Sequence, residues 1–138
     1  MLCFLSAFKP ACICLQEVGN SRFLSQSQFK NIFLKNYKPI FRRADPKYPG
    51  KRGLFIGIHN SYAFSTENAD FDFIISANIF SFWNTKCSIG NMYFPQLRWP
   101  EARTWAFDEL KLWIGNHNNN TPALLVGDFN MQDSSKFH

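Results

Sequence analysis

No apolar run in this 138-residue chain approaches the roughly 18 residues of a membrane-spanning helix, so no span is expected. No CxxC pair and no paired-histidine spacing occurs either, which excludes the common structural zinc sites. Cysteine is sparse, with four residues at 3, 12, 14 and 87. Cys12 and Cys14 share one face of a predicted strand but stand too far apart along it for easy pairing, so free thiols in a reducing compartment are expected. Met1 to Leu15 lacks the basic start of a signal peptide, is interrupted by Lys9-Pro10 and runs directly into a strand. The sequon Asn119-Asn120-Thr121 is followed by Pro122 and is discounted. The reading is an intracellular protein, nuclear or cytoplasmic, and not a secreted one.

What the chain does have is a large apolar and aromatic content. Hydrophobic residues make up 46% and aromatics 17%, which excludes disorder, and 16 phenylalanines imply a bulky interior. Net charge is +5, and nearly all of it sits between Arg42 and Arg52. Arg42, Arg43, Lys47, Lys51 and Arg52 face one acid there, Asp45. Such a patch suits a phosphate-bearing partner, although a solvated basic loop is the plain alternative.

The pattern predicts a mixed α/β domain with antiparallel pieces. A helix tail ends at Phe8, a strand covers 11–16, and a helix covers roughly 22–35 with Phe29, Ile32 and Phe33 on one face. Strands follow at 37–42 and 53–59, separated by the basic loop, and then near 71–80 and 86–94. Pro100 opens a helix with Glu101 in its first turn and a stripe of Ala102, Trp105, Ala106, Leu110, Trp113 and Ile114. A last strand leads to Gly127-Asp128.

Two apolar strands stop on carboxylates. Cys12-Ile13-Cys14-Leu15-Gln16 ends at Glu17, and Ala123 to Gly127 ends at Asp128, followed by Phe129-Asn130. An α/β enzyme presents acids this way at the carboxyl edge of a sheet. Two such acids form an oxygen-rich site suited to Mg²⁺ and a phosphate. In extended backbone Asp128 and Asn130 share a face, and Gly127 removes a side chain where a ligand approaches. Tyr93, at the end of Asn91-Met92-Tyr93-Phe94-Pro95, is placed to hydrogen-bond a phosphate. Taken singly, Glu17 reads equally as a strand-end acid, Tyr93 as a core tyrosine and Gly127 to Asn130 as a turn.

In order and at these spacings, Cys14-Leu15-Gln16-Glu17, Gly53 to Ile58, Asn91 to Pro95 and Leu125-Val126-Gly127-Asp128-Phe129-Asn130 resemble the endonuclease/exonuclease/phosphatase superfamily. The resemblance covers nearly the whole chain. It implies a four-layer, two-sheet sandwich flanked by helices, with mostly antiparallel strands and Mg²⁺-dependent cleavage of nucleic-acid phosphate esters, Mn²⁺ being a substitute. By motif, Glu17 is a metal ligand and Tyr93 a phosphate contact. Asp128 serves the metal and orients or deprotonates the attacking water, and Asn130 is its partner on the phosphate. The basic residues imply nucleic acid, DNA foremost, and no membrane.

The family's first strand, with an Asn near the metal, and its late Ser-Asp-His motif have no counterpart here. His59 lies inside a strand and His138 has no neighbouring Asp, so neither is assigned that role. A partial domain over 1–138 with low or no activity alone is expected. The Asn-rich approach to Leu124-Leu125-Val126-Gly127-Asp128-Phe129-Asn130-Met131 looks most like endonuclease domains of non-LTR retrotransposons, truncated at both ends. Deadenylase-like and lipid- or inositol-phosphate phosphatase branches stay open, as does a non-catalytic remnant that binds nucleic acid.

Overall fold

The computed structural model describes residues 9–19, 35–48, 52–67, 71–82, 85–117 and 121–131. The helix expected up to Phe8, nearly all of that expected over 22–35, and Cys3, Lys51 and His138 lie outside the described residues. The elements are β1 (Cys12–Gln16), β2 (Tyr37–Ala44), β3 (Arg52–His59), β4 (Ala63–Thr66), β5 (Ile74–Phe82), β6 (Thr85–Tyr93), α1 (Pro100–Gly115) and β7 (Ala123–Asp128). They form an antiparallel sheet β1-β3-β2 and a mixed sheet β4-β5-β6-β7, the expected two-sheet α+β sandwich.

β3 is central in its sheet, which explains its unbroken apolar sequence. Leu54, Ile56 and Ile58 turn to the space between the sheets, and Phe55 turns outward to Ile13 and Tyr37. From the opposite sheet Ile75, Ala77, Ile79, Ile89 and Tyr93 complete the same core. Each leucine or isoleucine among them, taken out of water, stabilises the fold by roughly 1.5–3 kcal/mol. On the far face of the mixed sheet, Phe73, Ile74, Met92 and Phe94 pack against Ala106 and Trp113 of α1. Gly90 makes room for that helix, because a Cβ there would stand 2.8 Å from the Trp113 ring.

α1 joins β6 to β7, which pair in parallel with Tyr93 opposite Asp128. Pro100 opens the helix and Glu101 lies in its first turn, as expected. Its buried stripe differs from the expected one. Ala106, Glu109 and Trp113 are buried, whereas Trp105 is 40% and Ile114 58% exposed. The helix packs against one sheet only, so a narrow face is covered. Glu109 is tolerated inside because its carboxylate accepts the Asp72 and Phe73 backbone N–H groups at 2.6 and 2.8 Å.

Three expectations change. A four-residue edge strand, β4, lies where none was expected, paired antiparallel with β5. β2 continues to Ala44 and β3 begins at Arg52, so Arg42, Arg43 and Arg52 are strand residues flanking a shorter loop. Cys12 and Cys14 also come closer than their strand spacing suggested. Their Sγ atoms are 3.9 Å apart, a thiol hydrogen bond rather than the roughly 2 Å of a disulfide. Both are free, as is Cys87. That hydrogen bond pulls the Cys12 thiol down and, together with burial, pushes Cys14 up. Among the described residues no helix is long and apolar enough to cross a membrane.

Candidate active site

The carboxyl ends of β1, β6 and β7 and the start of β3 meet at one rim of the sandwich. A buried amide fixes them. Asn91, fully buried on β6, donates from Nδ2 to the backbone oxygens of Leu15 at 2.9 Å and Phe55 at 2.8 Å. Its Oδ1 accepts Gln16 Nε2 at 2.6 Å. One side chain thus ties β1, β3 and β6 together two residues before Tyr93. Leaving such a buried amide unpaired costs about 1–3 kcal/mol, so this arrangement holds the two sheets in register.

β1 then turns sharply. Glu17 has φ of 57° and Gly19 of 69°. Gly19 donates to Arg52 O and accepts from Ala44 N, both at 2.8 Å, so the chain crosses directly over Gly53. A Cβ on Gly53 would stand 2.6 Å from Gly19 O, which makes glycine necessary there. The turn leaves the Glu17 side chain half-exposed at the rim, 3.6 Å from Arg52 Nη1. An ion pair this open contributes at most roughly 1 kcal/mol, so a cation can displace the arginine at little cost.

Tyr93 reaches the same place from the other sheet. Its ring is buried, and its hydroxyl stands close to the Glu17 carboxylate and the Asn130 amide. Burial, reinforced by the Glu17 carboxylate, pushes the phenol up, against a smaller pull from Asn130 and Arg52. The hydroxyl therefore stays a neutral donor at physiological pH.

Asp128 ends β7 beside Tyr93. Its backbone oxygen accepts Phe94 N at 2.7 Å, and its exposed carboxylate accepts Asn130 N at 3.0 Å through Oδ1. Asn130 has φ of 44° and donates from Nδ2 to Phe94 O at 2.6 Å. The two residues therefore meet through a turn closed by Asp128 itself, not through the shared face of an extended strand. Gly127 is also explained differently. At φ of 153° its Cβ would fall 1.9 Å from Met92 O, so the glycine admits the β6 backbone and not a ligand. Arg103 of α1 braces this turn. It donates to Pro95 O, lies 3.5 Å from Asn130 O and stacks 4.6 Å from the Phe94 ring centroid.

Glu17, Tyr93 and Asn130 are thus brought together, with Asp128 adjoining. Asn91 and Arg103 escaped the sequence reading. A lone amide at an inward position of an apolar strand was the available signal for Asn91; for Arg103 there was none. The basic residues separate. Arg42 lines a small inter-sheet cleft with Glu67, Arg43 and Lys47 are exposed, and Arg52 is held at the rim. His59 lies at the far end of β3, against Tyr37 and Ser61. His117 pairs with Glu67 at 2.9 Å below α1.

A cleft of about 630 Å³ opens beside the rim, lined by Glu17, Gly19, Asp45, Tyr48, Arg52 and Trp99. Among the described residues no three His, Cys, Asp or Glu side chains cluster as a ready-made metal cage. Mg²⁺ is commonly held by one or two carboxylates with waters and substrate oxygens, a donor set that Glu17 and Asp128 can supply.

No family model and no curated protein matches the chain. Solved structures do. It superposes on a humanized D. rerio TDP2 with a TM-score of 0.68 and 14% identity, covering 96% of this chain and 54% of that one. For a C. elegans TDP2 the TM-score is 0.61 at 14% identity, covering 95% and 40%. For a truncated C. elegans TDP2 it is 0.58 at 15% identity, covering 95% and 53%. The chain spans about half the length of these structures or less. Over that span it shares the fold of these TDP2 structures.

Proposed function

We propose that this rim is the catalytic edge of a metal-dependent nucleic-acid phosphodiesterase. The supporting observation is the convergence of Glu17, Tyr93 and Asn130 across two sheets, with Asp128 in register beside Tyr93. Glu17 and Asp128 are the residues that would hold Mg²⁺, and Mn²⁺ in its place. Bound there, the metal supplies charge to neutralise a phosphate and its leaving oxygen.

The chain's own groups divide the remaining work. Asp128, anchored through Oδ1 by the Asn130 N–H, orients the attacking water and takes its proton. Asn130 and the neutral Tyr93 hydroxyl donate to phosphate oxygens as negative charge gathers on them. Among the described residues no histidine stands at this rim. One such preorganised contact is typically worth a factor of about 10²–10³, so the groups at this rim are expected to support only slow cleavage by themselves. DNA is the proposed substrate, and exposed Arg43 and Lys47 support a polyanion. The motif Leu124 to Met131 supports the retrotransposon-endonuclease branch.

Incubating the purified chain with supercoiled and abasic DNA plus Mg²⁺ tests the reading. Slow nicking that disappears in Asp128→Ala and in EDTA is expected. Nicking equal in the variant, or none after prolonged incubation with Mn²⁺, would refute it.

A further inference from the structure

Three large aromatic side chains stand exposed beside this rim. Tyr48 is 48%, Trp99 39% and Trp105 40% exposed. They come from separate elements: Tyr48 from the β2–β3 loop, Trp99 from the residue before α1, and Trp105 from α1 itself. Neighbours position them. The turn at Asp45 bonds Tyr48 N at 3.1 Å, and buried Phe73 meets the Trp105 ring edge-on at 5.5 Å between centroids. Tyr48 and Trp105 meet the same way at 6.3 Å, so a loop of one sheet touches the helix packed on the other.

These rings wall a cleft of about 530 Å³ together with Phe73, Pro100 and Ala102. Tyr48 and Trp99 also line the 630 Å³ cleft that contains Glu17 and Arg52. The aromatic wall is therefore continuous with the candidate active site, and each cleft has the size of an ordinary small-ligand site. Cations stand near the rings. Lys47 is adjacent to Tyr48 in sequence, and the Arg98 guanidinium lies 5.5 Å from the Trp99 ring. The linings also hold Glu17, Asp45 and Glu101, so a polyanion gains little there from charge alone. Flat apolar groups flanked by phosphates fit better.

We infer that this wall is a stacking platform for unpaired nucleobases, so that single-stranded nucleic acid is the form delivered to the Glu17 rim. Every base has a π-face, and exposed aromatic rings beside cations hold single strands without sequence preference. Delivery to a catalytic rim rests on the phosphodiesterase reading; the binding itself does not.

Binding of a labelled oligothymidylate to the full chain in EDTA tests it, beside the same sequence as duplex and an abasic oligomer of equal length. The single strand is expected to bind at least about tenfold more tightly than either. Trp99→Ala should weaken it by about 5- to 100-fold, the loss of one base–ring stack, and Trp99→Phe should restore most of it. Circular dichroism confirms that each variant is folded. Tyr48→Ala, on a loop, gives a second reading that spares the helix. Abasic oligomer binding as tightly as oligothymidylate, or folded Trp99→Ala binding unchanged, would overturn the platform. So would a dimer abolished by Trp99→Ala in a chain that ignores the oligonucleotide, since a second copy would then occupy the wall. Absent cleavage when Mg²⁺ is added would refute the catalytic reading and leave this result standing.

Discussion

Gln16 Nε2 donates to Asn91 Oδ1 at 2.6 Å across 75 residues of chain, and this bond joins the two sheets directly beneath Tyr93. Asn91→Leu keeps the branching at Cγ but strands the Leu15 and Phe55 carbonyls and the Gln16 amide. Stability should fall by about 2–4 kcal/mol, given about 1–3 kcal/mol for each buried group left unsatisfied and partial relaxation. Urea denaturation measures it. A loss under about 0.5 kcal/mol, typical of a neutral surface change, would show that the amide is not a structural tie.

Gly127 is required by Met92 O, which a Cβ would approach to 1.9 Å. Gly127→Ala should force β7 off β6 and cost about 2–4 kcal/mol through backbone strain and lost pairing. Gly115→Ala is the control. A Cβ there meets nothing within 4 Å, and alanine suits a helix end better, so stability should hold or rise by up to about 1 kcal/mol. Equal behaviour of the two variants in thermal melts would contradict the close approach.

Burial raises the carboxyl of Glu109, partly offset by the two N–H groups it accepts. A raised folded-state value means that the folded chain holds the proton more tightly than the unfolded one. Its stabilising share is fully present below the unfolded value and is lost as pH rises through the folded one. The stability of the unmodified chain relative to Glu109→Gln should therefore decline as pH rises from about 4, the ordinary glutamate range. Denaturation curves across that range decide it, and a difference that grows with pH would reverse the assignment.

Arg43 and Lys47 are exposed, Arg52 is tied to Glu17, and Arg42 faces the space between the sheets near Glu67. Neutralising Arg43 and Lys47 should lower the slope of log affinity against log salt by about 0.7 each for a single strand. Arg42→Gln should change it least. Fluorescence anisotropy at several salt concentrations reads this, and an unchanged slope in the Arg43 and Lys47 variants would show the segment to be a solvated connection.

The sequence announced the rim because apolar strands that stop on Glu17 and Asp128 leave a local signature. The helix at Pro100 was legible for the same reason. What stayed hidden depends on partners distant in the chain. Glu109 broke the expected helical stripe because its bonding partners, Asp72 and Phe73, lie 36–37 residues away. β4 has only four residues and mostly exposed side chains, so no alternation could reveal it. Asp128 and Asn130 were placed on one face of an extended strand, whereas the turn that joins them depends on φ of 44° at Asn130, which spacing alone does not encode.

The central claim is that Glu17 and Asp128 serve one metal ion beside Tyr93. Titration of the full chain with Mn²⁺, followed by electron paramagnetic resonance, measures it without requiring turnover. The account predicts one saturable Mn²⁺ per chain, displaced by Mg²⁺ and abolished in Glu17→Gln/Asp128→Asn, with that variant still folded. Saturable binding that persists in the double variant, or none in the unmodified chain, would contradict it.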